Sequence, residues 1–108
     1  MASPNGTYQG FVYDPGAQNS ATLRINASNV NTITSASMDY YQLSFNVTGN
    51  YTATALTLQA IATNGSSVLN MTLNSPDGTY RHLDGTVTVL QGGPNVGRTY
   101  NMTLQKNV

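Results

Sequence analysis

The sequence contains no cysteine, no tryptophan and no glutamate, and only 7% of its 108 residues are charged, against ~25% in ordinary soluble proteins. Without cysteine no disulfide can brace the chain, as it often does in small secreted domains. The fold must therefore rest on packing between its own elements or on association with copies of itself, and the redox compartment stays open. The acids Asp14, Asp39, Asp77 and Asp84 are balanced by Arg24, Arg81, Arg98 and Lys106, for a formal net charge of zero. Four dispersed cations make no patch, which argues against nucleic acid, held largely through Lys and Arg on phosphates, and against anionic membrane surfaces. No apolar run approaches the ~18 residues of a transmembrane helix, so no membrane insertion is expected. The first residues, MASPNGTYQG, lack the charged and apolar regions of a secretory signal; localisation is left undetermined. A chain of this length is expected to form a single domain over residues 1–108.

What is present is alternation. Leu43, Phe45, Val47 and Tyr51 alternate with Ser44, Asn46, Thr48 and Asn50; Leu56, Leu58, Ala60 and Ala62 alternate with Thr57, Gln59 and Thr63; Leu69, Met71 and Leu73 alternate with Asn70 and Thr72. Successive side chains on a strand point to opposite faces, so each stretch reads as a strand with one apolar and one polar side. The same period places strands at Thr7–Tyr13, at Ala21–Ala27 with Ala27 on the inner face, at Thr79–Leu90 and around Tyr100–Leu104. Within Thr32–Tyr41 the parity breaks: Ala36, Met38 and Tyr40 share one face and Ile33 lies on the other, which predicts a bulge. Turns fall at Asp14-Pro15-Gly16, Asn29–Asn31, Asn64-Gly65, Asn74–Gly78 and Gln91–Gly97. Asn64-Gly65 is the pair expected to form a type I′ hairpin turn.

About eight short strands at roughly 10-residue spacing, with no helical period between them, predict an all-β sandwich or barrel. Open sheets guard their edges with Lys, Pro or inward charges, and only Lys106, near the end of the last strand, could serve. A closed, up-and-down antiparallel barrel is therefore favoured over a two-sheet sandwich. The GTYQG start at Gly6–Gly10, with ITSASMDY at Ile33–Tyr40 and LSFNVTGNYT at Leu43–Thr52, resembles the small calycin-like barrels of the streptavidin and lipocalin type. That resemblance implies a barrel with a cavity for a small ligand. It carries over no binding residue, because the tryptophans of the streptavidin pocket and the Gly-x-Trp of lipocalins have no counterpart here.

Seven tyrosines and two phenylalanines are the most informative set. Phe11, Phe45 and Tyr51 are expected in the core. Tyr40 and Tyr41 are adjacent, so a regular strand would turn one of them outward. Tyr80, beside Arg81 and His82 at a strand start, reads as a second exposed ring. Exposed tyrosine next to amides and charged groups suits a sugar, with an apolar face for its C–H groups and polar partners for its hydroxyls. The candidate ligand-binding residues are therefore Tyr40, Tyr41, Tyr80, Arg81, His82 and Asp84.

His82 and Asp84 share a strand face, the start of an acid–base pair, but the face is polar and no Gly-x-Ser-x-Gly elbow occurs. They read as a surface pair, and no catalytic residue, metal site or cofactor is assigned. The glycines of Gln91–Gly97 lie between strands and read as a hairpin loop, since a phosphate loop needs a helix behind it. Asn-x-Ser/Thr triplets at Asn5, Asn26, Asn46, Asn50, Asn64, Asn70 and Asn101 are mostly what an outward face of Asn, Ser and Thr produces, because i and i+2 share a side. The expected function is a non-enzymatic binding module for a carbohydrate or small ligand, in the barrel or on its rim. The alternative is an assembly protein that self-associates through its uncharged Thr/Asn-rich faces, which lack the charge repulsion that keeps proteins apart.

Overall fold

A computed structural model describes residues 3–14, 17–93 and 96–107. Eight antiparallel strands follow one another: β1 (Gly6–Asp14), β2 (Ala17–Asn29), β3 (Thr32–Tyr40), β4 (Leu43–Tyr51), β5 (Ala55–Ala62), β6 (Val68–Asn74), β7 (His82–Gln91) and β8 (Thr99–Lys106). Each pairs with its sequence neighbours, and β1 pairs with β8 from Tyr8↔Lys106 to Tyr13↔Asn101, closing the barrel. Closure removes the sheet edges, which explains how the strands do without edge lysines.

The alternating apolar residues fill the interior. Leu23, Met38, Phe45, Val47, Leu58, Met71, Leu83, Met102 and Leu104 are all buried, with the Thr, Asn and Gln stripes outside. The parity break in β3 is a register irregularity between Ile33 and Ala36, which returns Ile33 to the core. A matching irregularity in β2, either side of Ala27, turns that alanine outward, against the expected alternation.

Phe11 is a further correction. It is 41% exposed, beside an outward Tyr13. Tyr8 and Val12 take the inward positions of β1, and the inward position between them is Gly10. A β-carbon there would stand 1.9 Å from the Thr103 carbonyl oxygen of β8. Gly85 of β7 is packed as tightly, 1.8 Å from the Thr72 carbonyl oxygen. Such approach of backbone to backbone marks sharp strand coiling in a small barrel.

The turns also differ from the expected pattern. At Asn64-Gly65 only Gly65 has a positive φ, 75°. The loop is longer than two residues, with the Gly65 N–H donating to the Ala62 carbonyl and the Ala62 N–H to the Ser67 carbonyl. The two-residue turn with both φ positive joins β3 to β4: Tyr41 at 54° and Gln42 at 63°, between the paired Tyr40 and Leu43. That is the type I′ signature, made by residues that seldom adopt it. Strand β7 starts at His82 rather than Thr79, because Asp77 accepts hydrogen bonds from the Thr79 N–H and hydroxyl and holds the preceding residues in a loop. The Pro15-Gly16 part of the expected Asp14-Pro15-Gly16 turn and the Pro94-Asn95 part of the β7–β8 loop lie outside the described residues.

Candidate functional site at the barrel mouth

The two ends of the barrel are built differently. One end, formed by residues 3–5 and the β2–β3, β4–β5 and β6–β7 connections, is sealed by tyrosines. Tyr8 donates to the Pro4 carbonyl, Tyr51 to that of Asn29 and Tyr80 to that of Thr52. Each hydroxyl thus satisfies a backbone carbonyl; the Tyr8 and Tyr80 rings are fully buried and Tyr51 is half-buried against the core. Burial, with Tyr80 as a second cause, raises the Tyr8 pKa far above the usual phenol range; burial, then Tyr51, raises that of Tyr80. Lys106 lies over the Tyr8 ring and donates to the Ser3 carbonyl, and burial lowers its pKa.

Toward the other end, β2 and β5 carry inward Ala21, Ala60 and Ala62 above Leu23, Leu56 and Leu58, while β3, β4 and β8 carry Tyr40, Phe45 and Tyr100. This end opens as a cavity of about 360 Å³, lined by Tyr40, Tyr41, Leu43, Phe45, Ser66, Ser67, Leu69, Val89, Gly92, Gly93 and Tyr100. Phe45, Leu69 and Val89 are buried and make it apolar, and Tyr100 reaches in from the first turn of β8. The rim is held by backbone bonds, with the Gly97 N–H donating to the Val89 carbonyl and the Val89 N–H to that of Arg98. No charged side chain lines the cavity among the described residues. The Tyr41, Tyr100 and Ser67 hydroxyls have no hydrogen-bond partner among the described residues and are available to an occupant.

Tyr41 projects from the β3–β4 turn, 68% exposed, its ring 6.0 Å from that of Tyr40. It also lines a second, polar concavity of about 370 Å³, outside the lip, with Asn19, Ser20 and Gln42.

The six residues singled out from the sequence do not converge. Tyr40 and Tyr41 stand at the mouth, and of the adjacent pair Tyr41 is the exposed one. Tyr80 is fully buried at the sealed end, not an exposed ring; its φ of 59° and the bond from its N–H to the Ser75 hydroxyl fold it back under the loop. Arg81, His82 and Asp84 lie outside, at that same end. His82 Nε2 is 2.8 Å from Asp84 Oδ2, while Asp84 Oδ1 accepts from the Thr103 hydroxyl at 2.8 Å. For nucleophile activation the hydroxyl should meet the imidazole, with the carboxylate behind it; here it meets the carboxylate, on a convex face.

Tyr100, Ser67, Asn19, Ser20 and Gln42 were missed by sequence reasoning. Tyr100 carried a signal: a tyrosine at the first inward position of a strand, directly after a glycine-rich loop. Gln42 follows Tyr41 in the same turn, the β2–β3 register brings Asn19 and Ser20 beside it, and Ser67 comes from the β5–β6 loop. Neither a protein-family model, nor a curated protein, nor a solved structure matches this chain.

Proposed function

We propose that the protein is a non-enzymatic binding module that holds an uncharged small ligand in the open mouth of the barrel. The observation carrying this reading is the mouth cavity itself: about 360 Å³, within the size range of ligand sites, apolar inside and edged with hydroxyls. Eight-stranded barrels of calycin type leave room for one small ligand when side chains do not fill them. Here one end is closed by Tyr8, Tyr51 and Tyr80, whereas the other stays open between Tyr40, Phe45, Leu69 and Tyr100. The absence of cations among the described lining residues argues against carboxylates and phosphates as occupants. The test is a thermal-shift and titration screen of neutral small molecules against the protein and its Ser67→Trp variant, which fills the mouth from the rim. Binding to the parent and its loss in a folded variant support the reading; equal binding by both overturns it.

Self-association is a second reading, favoured by apolar side chains on the outer surface. Phe11 and Tyr13 lie side by side on β1 with ring centroids 6.4 Å apart, and Ile61 and Leu90 are exposed on β5 and β7. Native mass spectrometry decides it: a defined oligomer dispersed by Phe11→Ser supports assembly, and a monomer at every concentration excludes it.

A further inference from the structure

Tyr41 belongs to two concavities of opposite character. On one side lies the apolar mouth, whose depth is Phe45, Leu69 and Val89. On the other lies the polar notch of Asn19, Ser20 and Gln42. From this we infer that the ligand is a neutral glycoside straddling Tyr41, with its apolar aglycone in the mouth and its sugar ring in the notch. The inference rests on the mouth-binding reading above and names the class of ligand.

The two halves suit different chemistry. An apolar cavity of about 150 Å³ is enough to take up benzene, so the mouth has room for a phenyl-sized or short alkyl body. A free sugar is poorly served there, since buried hydroxyls need partners and the deep walls are hydrocarbon. In the notch the situation is reversed. A hydroxyl and a carboxamide, from Ser20 and Gln42, supply donors and acceptors together beside Asn19, as sugar hydroxyls require, and the Tyr41 ring supplies a flat apolar face. Neither concavity is lined by a charged side chain among the described residues, so the whole ligand is neutral.

The turn that carries Tyr41 and Gln42 gives independent support. Both residues hold φ in the left-handed region, 54° and 63°, where Asn-Gly would sit without strain. Backbone strain of this kind is typically retained where function requires the side chains. Here the strained pair is the wall between the two concavities and one side of the notch.

The experiment uses phenyl pyranosides of glucose, galactose, mannose and N-acetylglucosamine, with phenol and the methyl pyranosides as the two halves. Affinities are measured by calorimetry or ligand-observed NMR on the intact protein. At least one phenyl glycoside is expected to bind about tenfold or more tightly than phenol or its methyl glycoside, since joining the halves makes the second contact intramolecular. Gln42→Gly, which relieves the turn, and Ser20→Phe, which fills the notch from an exposed position, should each remove that gain and leave phenol binding unchanged. If phenol binds as well as every phenyl glycoside, or both variants keep the gain, the glycoside assignment is wrong and the mouth reading stands. If neither phenol nor any glycoside binds at millimolar concentration, the glycoside assignment falls, and the wider screen of neutral molecules with Ser67→Trp decides the mouth reading.

Discussion

Tyr51 and Tyr80 meet edge to face, ring centroids 6.4 Å apart and planes at 82°, and their hydroxyls reach the carbonyls of Asn29 and Thr52. A ring at the end of β4 and a ring from the β6–β7 loop thereby lock the end of β2 and the β4–β5 loop over the sealed end. Tyr80→Phe keeps the ring and loses one hydrogen bond, and is expected to cost about 1 kcal/mol. Tyr80→Ala empties a fully buried site and should cost about 3–5 kcal/mol. Chemical denaturation measures both. The mouth lies at the opposite end, so ligand affinity of the Phe variant should match the parent; a Phe variant as damaged as the Ala variant would contradict this account.

Gly10 and Gly85 are expected to tolerate no side chain. A β-carbon at either position would lie within 2 Å of a neighbouring strand's carbonyl oxygen, at 1.9 and 1.8 Å, and backbone cannot swing aside as a side chain can. Gly10→Ala or Gly85→Ala should destabilise by about 3 kcal/mol or more, as overpacking of a tight core does. Gly65, by contrast, has open space around its position, so Gly65→Asn should be nearly neutral because asparagine tolerates positive φ. The comparison separates close approach from dihedral strain within one set of unfolding curves.

The fold was more legible in the sequence than the site was. Alternation from Leu43 to Leu73 and the missing edge lysines lead directly to a closed barrel, and the parity break at Ile33 correctly marks a bulge. Phe11 escaped because in TYQGFVY either parity offers aromatic or aliphatic residues to the core. The choice is made by Gly10, whose contact with β8 no local pattern reveals. Tyr80 escaped for a related reason: its chain direction is set by the bonds of Asp77 and Ser75 within the loop, so strand parity does not apply to it. The notch residues Asn19 and Ser20 are separated from Tyr41 by an entire hairpin, and only the β2–β3 register joins them.

Alkaline pH is expected to unfold the barrel from its sealed end. Burial holds the Tyr8 and Tyr80 hydroxyls protonated beyond the ordinary phenol range, so the folded state keeps protons that the unfolded chain releases. Their contribution is complete below the unfolded tyrosine pKa of about 10 and is lost as pH rises toward their folded values. Lys106, lowered by burial over Tyr8, titrates in the opposite sense and offsets part of this loss. The phenolate absorbance of Tyr8 and Tyr80 should therefore appear only with loss of the β-sheet circular dichroism signal, and Tyr80→Phe should lessen the alkaline loss of stability. Smooth ionisation of every tyrosine in a folded protein would show that the sealed end is open to water.

The exposed side-chain pairs on the outer face should matter little. Asp39 is held below the usual carboxylate range by its hydrogen bond from Arg24, then by that from Ser44. Its stabilisation is present above the unfolded carboxylate pKa and fades as pH falls through the folded one. With the Arg24 and Asp39 side chains 45% and 54% exposed, that contribution is at most about 1 kcal/mol and screened by salt. His82→Ala, on the outer face with Asp84, should shift stability by no more than about 0.5 kcal/mol and leave ligand binding unchanged. A large loss of binding would move the functional site from the mouth to the His82–Asp84 face.

The β3–β4 turn sets stability against binding most directly. Tyr41 and Gln42 each hold a left-handed conformation that costs an ordinary residue roughly 1–2 kcal/mol. Tyr41→Asn with Gln42→Gly supplies the pair that type I′ hairpins favour, and removes little packing because Tyr41 is largely solvent-exposed. The double variant should therefore be about 1–3 kcal/mol more stable than the parent, by the relief of both residues. It should at the same time lose the ligand, having lost the ring shared by the two concavities and one amide of the notch. Gains in stability at the expense of activity are the usual sign of a functional site held under strain. A double variant that gains stability and still binds would mean that the strained turn serves some end other than the ligand; one that loses stability would mean that Tyr41 is held by packing on Tyr40 rather than kept for recognition.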